Sequence, residues 1–253
     1  MAEPAHPCQW ISLSDALRAF VYPTGPHQSQ AHIRPLHWYA ACRLVVEGGF
    51  HPDEITPRPP FAVSGRGRRL LLTLNPDRGG SGERTILGGL KTKDVDVAVA
   101  KPEVGPCLVV SIKGTLKAFR NLTNRMEEAV GDCTNLHIAY PNLVYGFFHV
   151  LRANKEGPCR DEDLGLLTRD RHGRVATSDV ALRMDGGVAE PIRRYHRVLR
   201  GLTGRLGIRN DFTRYEALAL AMVHPSTASI ASDWPPNGSP LRFGDFFRRI
   251  YRE

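Results

Sequence analysis

The sequence predicts an α/β fold: a central mixed β-sheet flanked by helices, followed by a mainly helical C-terminal region. Three observations predict it. The stretch VDVAVAKPEVGPCLVVSIKG sets two apolar runs around a Pro/Gly turn, the pattern of a buried hairpin. The residues after it change to apolar spacings of three and four, the period of a helix. NLVYGFFHVLR then returns to a near-continuous apolar run of strand length. Helix, strand, strand, strand, helix, strand is an order that builds a layer of helices on a mixed sheet.

Taken in order, LSDALRAFVYP reads as a short helix, with Ser12 or Ser14 as its N-cap and Pro23 beyond its end. PLHWYAACRLVVEGG reads as a second helix, stopped by Gly48 and Gly49. FHPDEITPRPPF is a proline-rich connection, GRRLLLTLN a strand, and PDRGGSGERTILGG a flexible link. The hairpin spans residues 94–100 and 106–113. Leu116, Phe119, Thr123, Met126 and Val130 then mark one face of a helix over 115–133. The charged, glycine-containing ANKEGPCRDEDLG marks a change of subregion near residue 155. Beyond it, residues 190–202, 212–223 and 243–251 read as helices. The expected organisation is an N-terminal segment (1–34), a core (35–153) and a mainly helical region (154–253).

The 253 residues are 42% hydrophobic and 24% charged, an ordinary globular balance. No apolar run reaches the ~18 residues of a membrane span, and the N-terminus has no secretory pattern. Five scattered cysteines without a CxxC pair suit reduced thiols in a cytoplasm, and not a zinc ribbon or disulfide scaffold. The net charge of +8 is arginine-heavy and favours a polyanionic partner. There is no GK[ST], so the glycines around residue 80 are not a P-loop, and the ten histidines form no HExxH.

The hairpin carries the chemistry. Asp96 opens its first strand, fourteen residues separate it from Ser111, and Lys113 follows two later. This arrangement resembles the PD-(D/E)XK nuclease core, in which an acid and a lysine lie at the ends of a β-hairpin. Ser111 stands where the usual second acid would be. In this respect the chain is similar to the branch of type II restriction endonucleases that cut CCGG-containing sites, where the motif is Ser/Thr-x-Lys and a glutamate on the following helix substitutes. After thirteen residues intervening from Lys113, that position is Glu127, preceded two residues earlier by Arg125. The resemblance implies a Mg2+-dependent endonuclease, with Mn2+ as a substitute, acting on double-stranded DNA as a homodimer. It implies metal ligation by Asp96, Glu127 and the carbonyl of Ile112, and a water-positioning role for Lys113. That branch also carries an Arg-x-Asp-Arg reader after the lysine. Here Lys117, Phe119 and Arg120 fall on its first, third and fourth positions and the Asp is absent, so CCGG recognition does not transfer.

Magnesium takes hard oxygen ligands and often only one or two protein carboxylates, so a displaced acid is chemically acceptable. Asp94 and Asp77 remain open as the first acid: Asp94 by strand alternation beside Asp96, Asp77 as the literal Pro-Asp of the chain. Glu47, at the end of the second helix, is a further candidate. Between residues 191 and 214 lie seven arginines (193, 194, 197, 200, 205, 209, 214) against one acid, Asp211. Arg193, Arg197 and Arg200 share a helical face suited to phosphate contacts. Two other readings belong beside restriction: a repair or defence nuclease on the same core, and a non-catalytic DNA-binding protein with a degenerate core.

Overall fold

The computed structural model describes residues 6–23, 30–66, 69–163, 165–206 and 211–253. Helices α1 (Leu13–Val21) and α2 (Arg34–Val46) come first, then the two-residue strand β1 (Ile55–Thr56). Two ribbons follow: β2 (Phe61–Arg66) with β3 (Arg69–Leu74), and β4 (Arg84–Leu87) with β5 (Thr92–Val95). The hairpin is β6 (Val97–Lys101) and β7 (Gly105–Thr115); α3 (Leu122–Ala139) and β8 (Val144–Arg152) complete the expected unit. After an irregular segment come α4 (Glu190–Gly201), β9 (Ala217–His224), β10 (Ser229–Ile230) and α5 (Phe246–Ile250).

The central sheet has six strands in the order β1-β6-β7-β8-β9-β10. The three strands in the middle, β7, β8 and β9, are parallel; the outer pairings are antiparallel. Helices cover both faces. Leu17 and Phe20 of α1, Leu36 and Leu44 of α2, and Phe246 of α5 pack on Val110, Ile112 and Val150. Cys133 and Leu136 of α3, with Ile192 and Leu199 of α4, pack on Val109, Phe147 and Leu220.

Two expectations need correction, and a third is refined. Residues 212–223 are not a helix: ALALAMVH is β9, buried along nearly its whole length. A parallel strand covered on both faces is apolar throughout, so it lacks the alternation that distinguishes a strand from a buried helix. The C-terminal region therefore contributes a central strand to the sheet, and its helices are α4 and the short α5. The helix expected from residue 115 begins at Leu122, after a turn that holds Ala118 in the left-handed conformation at φ +57°. The strand read in GRRLLLTLN exists as β3, but it belongs to the β2–β3 ribbon and leaves Leu70, Leu71 and Leu74 exposed.

The start of the parallel pair β8–β9 is fastened by Glu216. Its carboxylate accepts the Tyr145 N–H at 2.8 Å, bonds Arg205 at 2.5 Å and lies 3.5 Å from His137. Burial pushes the Glu216 pKa up, but His137, the Tyr145 amide and Arg205 outweigh it and hold the carboxyl below its ordinary value. A depressed folded pKa gives stability that is complete above the unfolded value of about 4.3 and is lost as pH falls through the folded value. Thermal melts from pH 7 to 3 should therefore show an acid decline that is shallower in Glu216→Gln, which starts from a lower melting temperature at pH 7. Parallel acid limbs would contradict this.

Candidate functional site

The site forms where β7 outruns β6. Their pairing ends with Val97 opposite Val110. A residue's N–H and C=O leave a strand on the same edge, so both groups of Ile112 face the space that β6 has vacated. Asp96 fills it: Oδ2 accepts the Ile112 N–H at 2.7 Å and lies 3.3 Å from Lys113 Nζ. The carboxylate is only 4% exposed, so these two donors are what make its burial tolerable.

The other carboxylate oxygen, Oδ1, faces His37 Nε2 at 3.8 Å. His37 comes from the first turns of α2 and is also 4% exposed. Its Nε2 is buried without a hydrogen-bond partner. Burial pushes the imidazole below its ordinary pKa, against the pull of Asp96 and the Ile112 carbonyl; Lys113 and Arg34 reinforce the burial. Glu83, entering β4, completes the group: one donor atom each from His37, Glu83 and Asp96 lie within 4.8 Å of one another. An orphaned buried imidazole nitrogen with two carboxylates in reach fits a divalent cation.

Of the three, Asp96 lines a cavity of about 440 Å³. Asp96, Lys113, Thr115, Lys117, Asn121 and Arg125 line it, at the C-terminal end of β7 and the start of α3. Clefts outside the carboxyl ends of parallel strands are where open α/β sheets bind ligands. Thr115 is held from behind: its Oγ1 is 2.9 Å from His149 Nε2, whose Nδ1 is 2.5 Å from Tyr195 Oη. Burial, then Arg125 and Lys113, push the His149 pKa down to about 3, so this ring stays neutral near pH 7.

The sequence-derived candidates separate clearly. Asp96, Lys113 and Ile112 meet as expected. Ser111 does not join them: it is turned toward α3 and hydrogen-bonds Tyr145 Oη at 3.0 Å in the core. Glu127 is not brought to the cluster. It is exposed, and two residues beyond the cavity-lining Arg125 it sits about 200° round the helix. Its neighbour Glu128 pairs with Arg125 instead.

Asp94 is not brought there either, because alternation breaks at Asp96: Val95 packs in the α3-side core and Val97 in the α2-side core. Asp94 accepts from Thr85 at 2.5 Å within the β4–β5 ribbon. Asp77 is exposed in a turn at Pro76–Arg78, outside the converging group. Glu47 pairs with Arg43 at the far end of α2, about 15 Å along the helix from His37. The helix before the sheet does reach the site, but with His37.

Among the basic candidates, Lys117 and Arg125 line the cavity and Arg120 is exposed beside it. Arg193, Arg197 and Arg200 form an exposed face of α4, with Glu190 bridging the first two at 3.0 and 2.8 Å. Arg205 is not on that surface; it is buried against Glu216 and the Pro141 carbonyl. Arg214 pairs with Asp211, and Arg209 lies outside the described residues.

Sequence reasoning missed His37 and Glu83. Their signals were faint: a histidine inside an apolar helix, and the one acid between residues 78 and 93. Comparisons with family models, curated proteins and solved structures find no match for the chain. Among the described residues, no helix is long and apolar enough to cross a membrane.

Proposed function

We propose that the chain is a metal-dependent endonuclease that hydrolyses phosphodiester bonds in double-stranded DNA, of the type II restriction kind. The observation that carries the reading is the buried Asp96, joined to the Ile112 N–H and Lys113 in the lining of a cavity that Lys117 and Arg125 also line. Asp96 and Glu83, with His37, are the residues that would hold a divalent ion, Mg2+ or Mn2+. Such an ion supplies charge stabilisation at the scissile phosphate and a hydroxide near neutral pH.

The chain's own groups do the rest. Lys113, tethered to Asp96 and open to the cavity, is placed to orient the attacking water and offset phosphate charge. Lys117 and Arg125 offer cations to the flanking phosphates, and Thr115 a hydroxyl fixed by His149. The exposed arginine face of α4 offers a second basic surface for phosphates. A palindromic site calls for two copies, and the exposed leucines of the β2–β3 ribbon support a pairing surface.

The test is incubation of the purified chain with supercoiled plasmid and Mg2+ or Mn2+. Discrete bands are expected. A smear would move the reading to a repair or defence nuclease, and intact plasmid with retained binding to a non-catalytic protein. Replacing Arg193, Arg197 and Arg200 together should flatten the dependence of log Kd on log salt, by about one unit of slope for each phosphate no longer neutralised. A slope unchanged within error would return α4 to an ordinary solvated helix.

A further inference from the structure

We propose that His37 Nε2, Glu83 and Asp96 form a binding site for a first-row transition dication, selective for ions such as Mn2+ over Mg2+. The inference deepens the nuclease reading and rests on it for its use, though not for the binding itself. The place expected for Glu127 is not simply taken by another carboxylate; a nitrogen donor enters the set.

The first ground is the orphaned Nε2. A buried ring nitrogen with no partner carries an uncompensated desolvation cost, which a ligand at that atom would recover. The second is separation. At 3.8 Å, His37 Nε2 and Asp96 Oδ1 are too far apart to hydrogen-bond. They remain inside the ~4.2 Å that two donors about 2.1 Å from one ion can span. The third is the division of labour on Asp96. Oδ2 takes the Ile112 N–H and Lys113, while Oδ1 is turned toward His37. The carboxylate is thus anchored by one oxygen and presented by the other.

Selectivity follows from the donors. Mg2+ sheds water reluctantly and binds oxygen, whereas imidazole suits the transition ions, whose affinity for nitrogen donors rises along the first row. A set of one imidazole and two carboxylates therefore discriminates against Mg2+, where an all-carboxylate set would not.

The experiment uses the full chain, stripped of metal, with Mn2+ as the probe read by electron paramagnetic resonance. One Mn2+ per chain should bind and survive a hundredfold excess of Mg2+. His37→Ala should weaken Mn2+ tenfold or more and leave Mg2+ affinity, read by competition, within threefold. Circular dichroism checks the fold. Where alanine fails to fold, His37→Gln replaces it, with an oxygen donor that should narrow the Mn2+/Mg2+ ratio. Displacement of Mn2+ by equimolar Mg2+, or unchanged Mn2+ affinity in a folded His37 variant, overturns the proposal. Tight His37-dependent Mn2+ binding without plasmid cleavage supports the site and overturns the nuclease reading alone. Cleavage in Mg2+ that survives His37→Ala does the reverse.

Discussion

Lys113→Ala should lower phosphodiester cleavage by about 10²–10³-fold while leaving DNA binding within a few fold of wild type. The asymmetry comes from where the ammonium sits. It lines the cavity 3.3 Å from Asp96 Oδ2, so it acts where charge develops and not along the phosphate track. Lys117 and Arg125 keep their places in the variant and continue to hold the flanking backbone. Removing the ammonium also leaves Asp96 with one hydrogen-bond donor fewer, which should make the free carboxylate a stronger cation ligand. Binding and catalysis are therefore expected to part company. Single-turnover cleavage and fluorescence anisotropy on one labelled duplex measure both. A variant that cuts within tenfold of wild type has lost only ~1.4 kcal/mol of transition-state stabilisation, which would remove Lys113 from the reacting centre.

The second large effect is on stability. Arg152, at the end of β8, is the largest fully buried side chain among the described residues. Its Nε donates to the Val21 carbonyl at 3.1 Å and one terminal nitrogen to Asn154 Oδ1 at 2.7 Å; the other pairs with Asp163. Asn154 in turn donates to the carbonyls of Leu116 and Asp179 at 2.6 and 2.9 Å. One guanidinium thus joins α1, the sheet and the irregular segment before α4.

Arg152→Ala strips Asp163 of its buried partner and orphans a carbonyl, at a cost of about 3–5 kcal/mol. For a chain of this size that is roughly 10 °C in melting temperature. Arg160 also reaches Asp163, at 3.0 Å, but its side chain is 47% exposed, so Arg160→Ala should cost at most ~1 kcal/mol. Equal melting temperatures for the two variants would show that the burial of Arg152 is not what holds this junction.

What was legible in the sequence was what depends on local pattern. The hairpin announced itself through two apolar runs and a turn, so Asp96, Ile112 and Lys113 were placed correctly relative to one another. The α/β order was legible for the same reason. Glu127 failed because spacing along a helix does not say which face meets the sheet. Leu122 and Ala129 settle that face by burying themselves, and Glu127 is left outside. Asp94 failed because alternation presumes an unbroken strand, and the chain switches faces at Asp96. His37 and Glu83 could not be found from spacing at all. One rides on a helix packed against the sheet and the other on a ribbon, and only tertiary packing carries them to Asp96. β9 was misread because burial on both faces erased its period.

The most direct measurement sets Glu83→Gln beside Glu127→Gln in single-turnover cleavage of an end-labelled duplex with Mn2+. The two changes are chemically identical and neither residue is deeply buried in the core. A site assembled around Asp96 from the β4 ribbon predicts a loss of about a hundredfold or more for Glu83→Gln and a rate within twofold of wild type for Glu127→Gln. A disabled Glu127→Gln beside an active Glu83→Gln would place the second acid on α3 and contradict the site described above. No cleavage by the wild-type chain would contradict the nuclease function itself.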